Sequence, residues 1–493
     1  MQQKNQPKIP ILYGENMSDL LFHKTTQPFP AEDIPQVIID AEPEFSEFYR
    51  FAWHLAWDHV YESEHLPYSP YLSEGCGINR IWIWDSCFMG MFCRYALNSF
   101  PGRATLDNLY ALLYHPEAPI CIHHLDNPPL FAWIEWMYYQ MDSDKKRLNE
   151  VLPKLIYHYD FLEQLDPTTY DNRDLPRITW KKESGNYRWS GCPSGMDNTP
   201  RGRDDYDSIW WVDALAQQAL SAHYIAKIAD ALSEENTKQR FQADFEHKKN
   251  LMQNYWDEET GTFLDIYRDG SGFCRVLTPA SFWPVFANCA TSEQREKQFA
   301  LLNDSSKLGG IVPFPSVSRD DLNFDPQGGY WRGAVWLPTA YMTVKTLEQF
   351  EEYQQAAELS LKLLRHMIKT WKEYTPHTIW ECYSPTEAKP STNKINAIVR
   401  KNFCGWSALG PISLLIENII GISNFDSANR TLSWNPGIPD GRLGVRNLNF
   451  GGGKIDLLRE DDIIRIHCDF PITLYYKKQK LDCKKGENVF PIA

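Results

Sequence analysis

The chain has 493 residues, 50 of them basic and 64 acidic, for a net charge of −14. With 43% hydrophobic and 23% charged residues it has the balance of a protein that buries a large core, which excludes wholesale disorder. The acidic surplus, with no compensating run of Lys and Arg, argues against nucleic acid or an anionic membrane as partner. No apolar stretch approaches the roughly 18–20 residues that span a bilayer, and the polar, proline-broken start lacks the apolar segment of a secretory signal. Eleven cysteines, odd in number and without a CxxC pair, read as free thiols of a reducing compartment, so the expected location is the cytoplasm. The outlier is aromatic content, at 14%.

In chain order, a lead segment (1–43) precedes a succession of helix-period stretches. Residues 44–60 place Phe48, Phe51, Ala52, Leu55 and Ala56 on one face. Further helices are predicted near 85–99, 104–115, 129–142, 145–165, 207–232, 236–254, 278–289, 292–303, 333–348, 350–371 and 404–421, about twelve in all. The clearest is 207–232, with an apolar stripe running from Val212 to Ala229. Long loops rich in Trp, Gly and Pro separate them at 61–84, 116–128, 166–206, 304–332 and 372–403, and loops of that length in a compact chain usually build a site. Turn signals and short alternating runs from about Arg430 onward predict a small antiparallel β-element. The expected fold is therefore mainly α: an (α/α)6 toroid over 44–425 with a C-terminal β subdomain over 426–493 and the lead segment packed on the barrel.

Four loop segments carry chemistry. In Trp82-Ile-Trp-Asp85, the aspartate is also a plausible helix N-cap. In Ser194-Gly-Met-Asp197-Asn, flanking Gly and Pro shape the loop, and Asp197 alone would pass for a turn residue bonding its own backbone. In Tyr330-Trp-Arg-Gly-Ala-Val-Trp336, Trp331, Arg332 and Trp336 would line the mouth of a helix. In Trp380-Glu381-Cys-Tyr383, followed by Gly405-Trp406-Ser, an aromatic setting would raise the pKa of Glu381. Glycoside hydrolysis needs one carboxyl group to protonate the leaving oxygen and a second to activate water or attack carbon. An aromatic-rich basin with two carboxylates in shaped loops suits that chemistry.

Together with Asn127-Pro-Pro129, these motifs resemble, in content and order across residues 50–420, the (α/α)6 glycosidase clan of trehalase and mannosyl-oligosaccharide glucosidase. The mannosylglycerate/glucosylglycerate hydrolase-like branch is nearest. The resemblance implies an inverting α-glycosidase acting on an α-linked glucosyl or mannosyl glycoside, with Asp197 as general acid and Glu381 as general base. It also implies that Trp82, Asp85, Asn127, Tyr330, Trp331, Arg332, Trp336 and Trp406 shape the sugar pocket. Cys192 and Cys382, beside the two carboxylates, depart from the pattern, and no glycine follows Glu381 closely. No cofactor and no metal is expected, and the partner is a small carbohydrate. Two rival readings stand beside this one. One is a sugar epimerase or isomerase working through His123, His124 or His377, and the other a non-catalytic carbohydrate-binding homologue. Arg201 and Arg203 read either as recognition of an acidic aglycone or as surface charge.

Overall fold

The computed structural model describes residues 21–115, 118, 120–122, 124–164, 178–460 and 462–492; His123 lies outside them. The helices fall where the apolar periodicity places them: α1 (Pro43–Trp57), α2 (Ile83–Cys93), α3 (Gly102–Leu112), α4 (Phe131–Asp142), α5 (Lys145–Gln164), α6 (Val212–Leu232) and α7 (Glu235–Met252). They continue with α8 (Trp283–Phe286), α9 (Ser292–Ala300), α10 (Leu337–Gln349) and α11 (Tyr353–Glu373), and end in a wide-turned π-helix over Gly410–Ile420.

Several of these are shorter than the sequence pattern suggests, three of them for a plain local reason. The segment 206–210 forms a 3₁₀ turn and a short strand that pairs with Asp265–Tyr267, so α6 begins only at Val212. Pro279 and Pro284 cut the 278–289 stretch into a 3₁₀ turn and the single turn of α8. The last helix opens as a 3₁₀ turn over Trp406–Leu409 before widening.

Six of these elements pack side by side. α2 touches α4, α4 touches α6, α6 touches α8, α8 touches α10, α10 touches the 406–420 segment, and that segment touches α2. Burial follows from this placement. All eleven residues of α2 and all eleven of the π-helix are buried, whereas α5 and α7 keep a polar outer face. Short turns reverse the chain outward from the packed six: Ser143 between α4 and α5, and Ser233 between α6 and α7, both in left-handed conformation.

Buried ion pairs tie these helices together. Arg147 forks onto Asp107 (2.7 Å) and Glu135 (2.7 Å), tying α5 to α3 and α4. Arg94, at the end of α2, bonds Glu417 at 2.6 Å, and Lys345 of α10 meets the other oxygen of Glu417. Among the described residues no helix is long and apolar enough to cross a membrane.

From Ile422 the chain turns to strands: β2 (Ile422–Asp426), β3 (Thr431–Trp434), β4 (Leu443–Phe450), β5 (Gly453–Glu460), β6 (Ile463–Cys468), β7 (Ile472–Tyr476), β8 (Gln479–Cys483) and β9 (Gly486–Pro491). They differ from a wholly antiparallel element. β3 and β7 pair in parallel inside the four-stranded sheet β2-β3-β7-β8. The strands between them in sequence supply the long crossover that parallel pairing needs. The five-stranded sheet β9-β6-β5-β4 is completed by β1 (Gln36–Ile39), from the lead segment, along the edge of β4. An open β4 edge would otherwise present unpaired backbone groups.

The π-helix ends at Gly421, whose N–H bonds the Ile416 carbonyl five residues back. Its φ is +92°, and a Cβ there would lie 1.9 Å from the Asn435 carbonyl oxygen. Gly421→Ala is therefore expected to destabilise the chain by at least ~1–3 kcal/mol, read as a lower denaturation midpoint. An unchanged midpoint would contradict this description of the junction.

Candidate active site

The amino-terminal ends of the packed helices gather the loops singled out in the sequence. Trp82 and Asp85 open α2, Asn127 precedes α4, Trp336 precedes α10 and Trp406 precedes the π-helix. Unsatisfied amides and aligned peptide dipoles make such ends favourable for carboxylates.

The loop bearing Asp197 is tightly held. Gly195 has φ +82°, and a Cβ there would sit 2.3 Å from the Trp84 ring, so the backbone lies directly on that indole. Asn127 donates to the Pro193 carbonyl at 2.6 Å. Asn198 brackets the turn at 329–331, accepting from Trp331 N–H at 2.9 Å and donating to the Gly329 carbonyl at 3.0 Å. The Asp197 carboxylate does not bond its own backbone, as a simple turn aspartate would. It takes the Lys394 ammonium at 2.6 Å, and its side chain is 23% exposed.

Behind this loop Arg201 is fully buried. It forks onto Asp213 (2.7 and 2.8 Å) and Asp265 (2.7 and 2.6 Å), with its guanidinium 4.2 Å above Trp211. Asp213 and Asp265 also accept the Ala214 and Val212 amides that open α6. Arg201 is thus neither a surface charge nor available to an aglycone; Arg203 is exposed.

Glu381 is 2% exposed. Its Oε1 accepts the Tyr330 hydroxyl at 2.9 Å and faces Arg400 Nη1 at 3.2 Å, while Oε2 faces the Arg400 amide at 3.3 Å. Its backbone carbonyl accepts Trp406 Nε1 at 2.9 Å, and Ser407 Oγ holds the Trp380 carbonyl at 2.7 Å. Burial raises the Glu381 pKa above the usual carboxylate range, against the opposing pull of Arg400 and the Tyr330 hydroxyl.

Two more carboxyls crowd the same place. Asp85 is the third residue of α2, not its N-cap, which is Trp82. Buried and close to Glu74, it is pushed well above its ordinary value, and its Oδ2 has no hydrogen-bond partner among the described residues. Glu74 is fully buried and is pushed up to about 7 by loss of water, with Cys76 and Arg400 pulling the other way.

Tyr330 links the two halves. It adopts φ +67°, its N–H bonds the Thr392 carbonyl at 2.8 Å, and its ring lies 5.4 Å from the same Lys394 ammonium that holds Asp197. A continuous contact path therefore runs from Asp197 through Lys394 and Tyr330 to Glu381.

The tryptophans divide. Trp331 and Trp336 are buried and stack on each other at 4.2 Å with a 6° interplanar angle, and Trp406 and Trp84 pack around them. Trp82 is half-buried, with its ring 6.1 Å from that of His124. Arg332 is not drawn into the carboxylate cluster; its guanidinium pairs with the exposed Asp204. Cys382 is buried and Cys192 exposed. His377 is exposed, bonding the Trp371 carbonyl at 2.8 Å. Glu74, Asn198, Lys394 and Arg400 were not singled out in the sequence. Each stands next to or within a recognised motif or a long loop, but only folding reveals its partner.

Residues 116–397 match the mannosylglycerate hydrolase MGH1-like glycoside hydrolase domain. The chain belongs to this family, and it is a glycoside hydrolase. A protein of unassigned activity from Borreliella burgdorferi is 26% identical over 387 residues, covering 74% of this chain and 76% of its own length. The mannosyl-oligosaccharide glucosidase of Saccharomyces cerevisiae is 27% identical over 308 residues, 55% of this chain but only 35% of that enzyme. In fold, the chain is similar to the GH63 mannosylglycerate hydrolase of Thermus thermophilus solved with Tris. The TM-score is 0.58 at 16% identity, covering 74% of this chain and 99% of the other.

The buried ion cluster behind the Asp197 loop generates a direct expectation. Arg201→Met leaves Asp213 and Asp265 facing each other without a cation. Unfolding in urea should show a loss of about 3–5 kcal/mol, the cost of breaking a buried pair. A variant as stable as the parent would mean that the fork contributes nothing.

Proposed function

We propose that this chain hydrolyses an α-linked glucosyl or mannosyl glycoside (a disaccharide, a short oligosaccharide or a glycosyl-glycerate) with inversion at the anomeric carbon. The observation that carries the reading is the contact path joining Asp197 to Glu381 through Lys394 and Tyr330. Residues 184 positions apart in sequence are joined by this path, Asp197 on its more accessible side at Lys394 and Glu381 buried beside Tyr330 and Arg400. The names of the yeast and Thermus relatives supply the sugar classes.

In this mechanism Asp197 delivers a proton to the glycosidic oxygen as the bond to the anomeric carbon breaks. Glu381 takes a proton from a water that attacks the opposite face, and the two carboxyl groups stand about 6.5–9.5 Å apart to admit that water. Lys394 holds Asp197 as the carboxylate, so to act as the acid Asp197 gives up this pairing and takes a proton from solvent before it delivers one to the leaving-group oxygen. Glu381, its proton affinity raised by burial, is a better base than a solvated glutamate. Trp82, Asp85, Asn127, Tyr330, Trp331, Trp336 and Trp406 are read as shaping the sugar pocket, and Arg332, turned to Asp204 outside the carboxylate cluster, as standing at its edge. The chemistry needs two carboxyls and water, and no cofactor.

The neighbour-to-neighbour packing of α2, α4, α6, α8, α10 and the 406–420 segment supports reading residues 44–425 as an (α/α)6 toroid. Residues 426–493 then form the C-terminal β subdomain, and 1–43 the lead segment. Eleven free cysteines favour a cytoplasmic setting.

Asp197→Asn and Glu381→Gln should each cut turnover by about 10²–10⁴-fold, the usual worth of a placed proton-transfer group. The variants are first shown to be folded by circular dichroism, and NMR of the first-formed anomer on a panel of α-glycosides reports the stereochemistry. Parental turnover in either variant removes its residue from the mechanism, and retention of configuration removes inversion.

A pH profile offers a separate check. The Tyr330 hydroxyl holds Glu381 toward its anion, so Tyr330→Phe raises the pH at which Glu381 deprotonates. A base must be ionised to act, so the acid limb of kcat/KM should move up by about one to two pH units, since a hydrogen bond to a charged group contributes roughly 1.5–3 kcal/mol. A limb that stays in place, or moves down, would show that Glu381 does not set it.

A further inference from the structure

The Asp197 loop carries a second pair of reactive groups that the hydrolytic mechanism leaves unused. Cys192, the residue that departs from the family pattern ahead of Asp197, is exposed, and its sulfur stands 3.5 Å from His124 Nε2. His124 is 9% exposed and lies in the loop before α4. Two residues on, Asp126 is fully buried. Its Oδ2 accepts the Thr179 amide at 2.7 Å, the Trp180 amide at 3.0 Å and the Thr179 hydroxyl at 3.1 Å, while its Oδ1 has no hydrogen-bond partner among the described residues. His124 is close enough to Asp126 for a charge on the imidazole to stabilise the carboxylate.

Both sides of the sulfur–imidazole contact are held by the fold. Asn127, from the His124 loop, donates to the carbonyl of Pro193, the residue after Cys192, at 2.6 Å. The Cys192 carbonyl accepts the Gly195 amide at 3.1 Å. Gly191 abuts the Asp197 backbone so closely that a Cβ there would lie 2.2 Å from its carbonyl oxygen. Other cysteines are placed differently. Burial pushes the thiols of Cys87, Cys382 and Cys404 well above their usual range. Cys76 meets Arg400, yet burial and the neighbouring Glu74 push its thiol up as well.

A thiol attacks as its anion, and an adjacent imidazolium favours that anion. Nucleophile, base and a carboxylate beside the base follow the order in which side-chain nucleophiles are activated. Here the nucleophile faces solvent, the base is largely buried, and the carboxylate is fixed by two amides and a hydroxyl. That arrangement suits a reagent arriving from solution at sulfur.

We propose that Cys192, with His124 as its base, is a modification site that forms a mixed disulfide with small disulfides from solution. Cys192 gives its proton to His124, and the sulfur anion attacks one sulfur of the reagent. The reagent's S–S bond breaks as the new one forms, and the departing thiolate takes the proton back from His124. Cys192 is oxidised, half of the reagent leaves as a thiol, and an excess of thiol reverses the exchange.

The test treats the full chain with bis(2-hydroxyethyl) disulfide at pH 6, beside a peptide of residues 190–196 as the solvated form of the same thiol. Intact mass counts the adducts and peptide mapping locates them. A solvated thiol is almost wholly protonated at this pH, and a less basic anion attacks more slowly, so the folded chain should gain its first adduct, at Cys192, at least about fivefold faster than the peptide. His124→Gln should bring the rate to within about twofold of the peptide's, Cys192→Ser should remove this adduct, and dithiothreitol should reverse it. A first adduct elsewhere, a chain no faster than the peptide, or an unchanged rate in His124→Gln would each overturn the proposal. If His124→Gln fails to fold, the comparison of parent with peptide decides alone. Labelling needs no sugar substrate, so its outcome is independent of the hydrolase assignment.

Discussion

The position of Glu381 is the constraint on which the rest of the site turns. A carboxyl 2% exposed cannot be left unanswered in a protein interior, because burying a charge without partners is costly. The chain meets this with a hydroxyl from Tyr330, a guanidinium and amide from Arg400, and a loop fixed at its carbonyls by Trp406 and Ser407. Tyr330 reaches it only from a left-handed backbone, held there by the Thr392 carbonyl. Backbone strain at Tyr330 and burial at Glu381 are thus set side by side, and the segments bearing Tyr330, Arg400 and Trp406 are committed to holding them.

That commitment explains why the tryptophans are so many and so deeply placed. Trp331 and Trp336 stack on each other, and the indole of Trp336 bonds the Tyr330 carbonyl at 3.1 Å. Trp84 supports the turn at Gly195, and Trp406 supports the Glu381 backbone. Large rigid rings with two side-chain torsions hold neighbouring loops at little entropic cost. Much of the aromatic surplus visible in composition therefore serves as scaffolding for polar groups, and only part of it is left to face a sugar.

How much of this could be read in advance depends on range. Helices such as α6 and α11 are legible because periodicity is a local property, and the loops bearing Asp197 and Glu381 stand out because they carry recognisable motifs. The parallel pairing of β3 with β7 and the recruitment of Gln36–Ile39 to the edge of β4 depend on partners far away in sequence. The same holds for Arg201. Its sequence neighbours suggest a surface loop, but Asp213 and Asp265 bury it. Glu74 and Arg400 were missed because neither lies in an unusual local sequence; their significance comes from meeting around Glu381.

The carboxylates also show why a single ionisation state cannot serve the whole cluster. Glu74, Asp85 and Glu381 all have raised proton affinities, Glu74 repels the Asp85 charge, and Arg400 is the cation all three share. With Glu74 pushed up to about 7, part of this group is protonated near neutrality, and each proton it keeps removes one negative charge facing Glu381. Arg400 can then be spent on Glu381 alone. The pairing that matters for Glu381 thus depends on the protonation of Glu74, and substituting Glu74 would act on the reaction through Arg400.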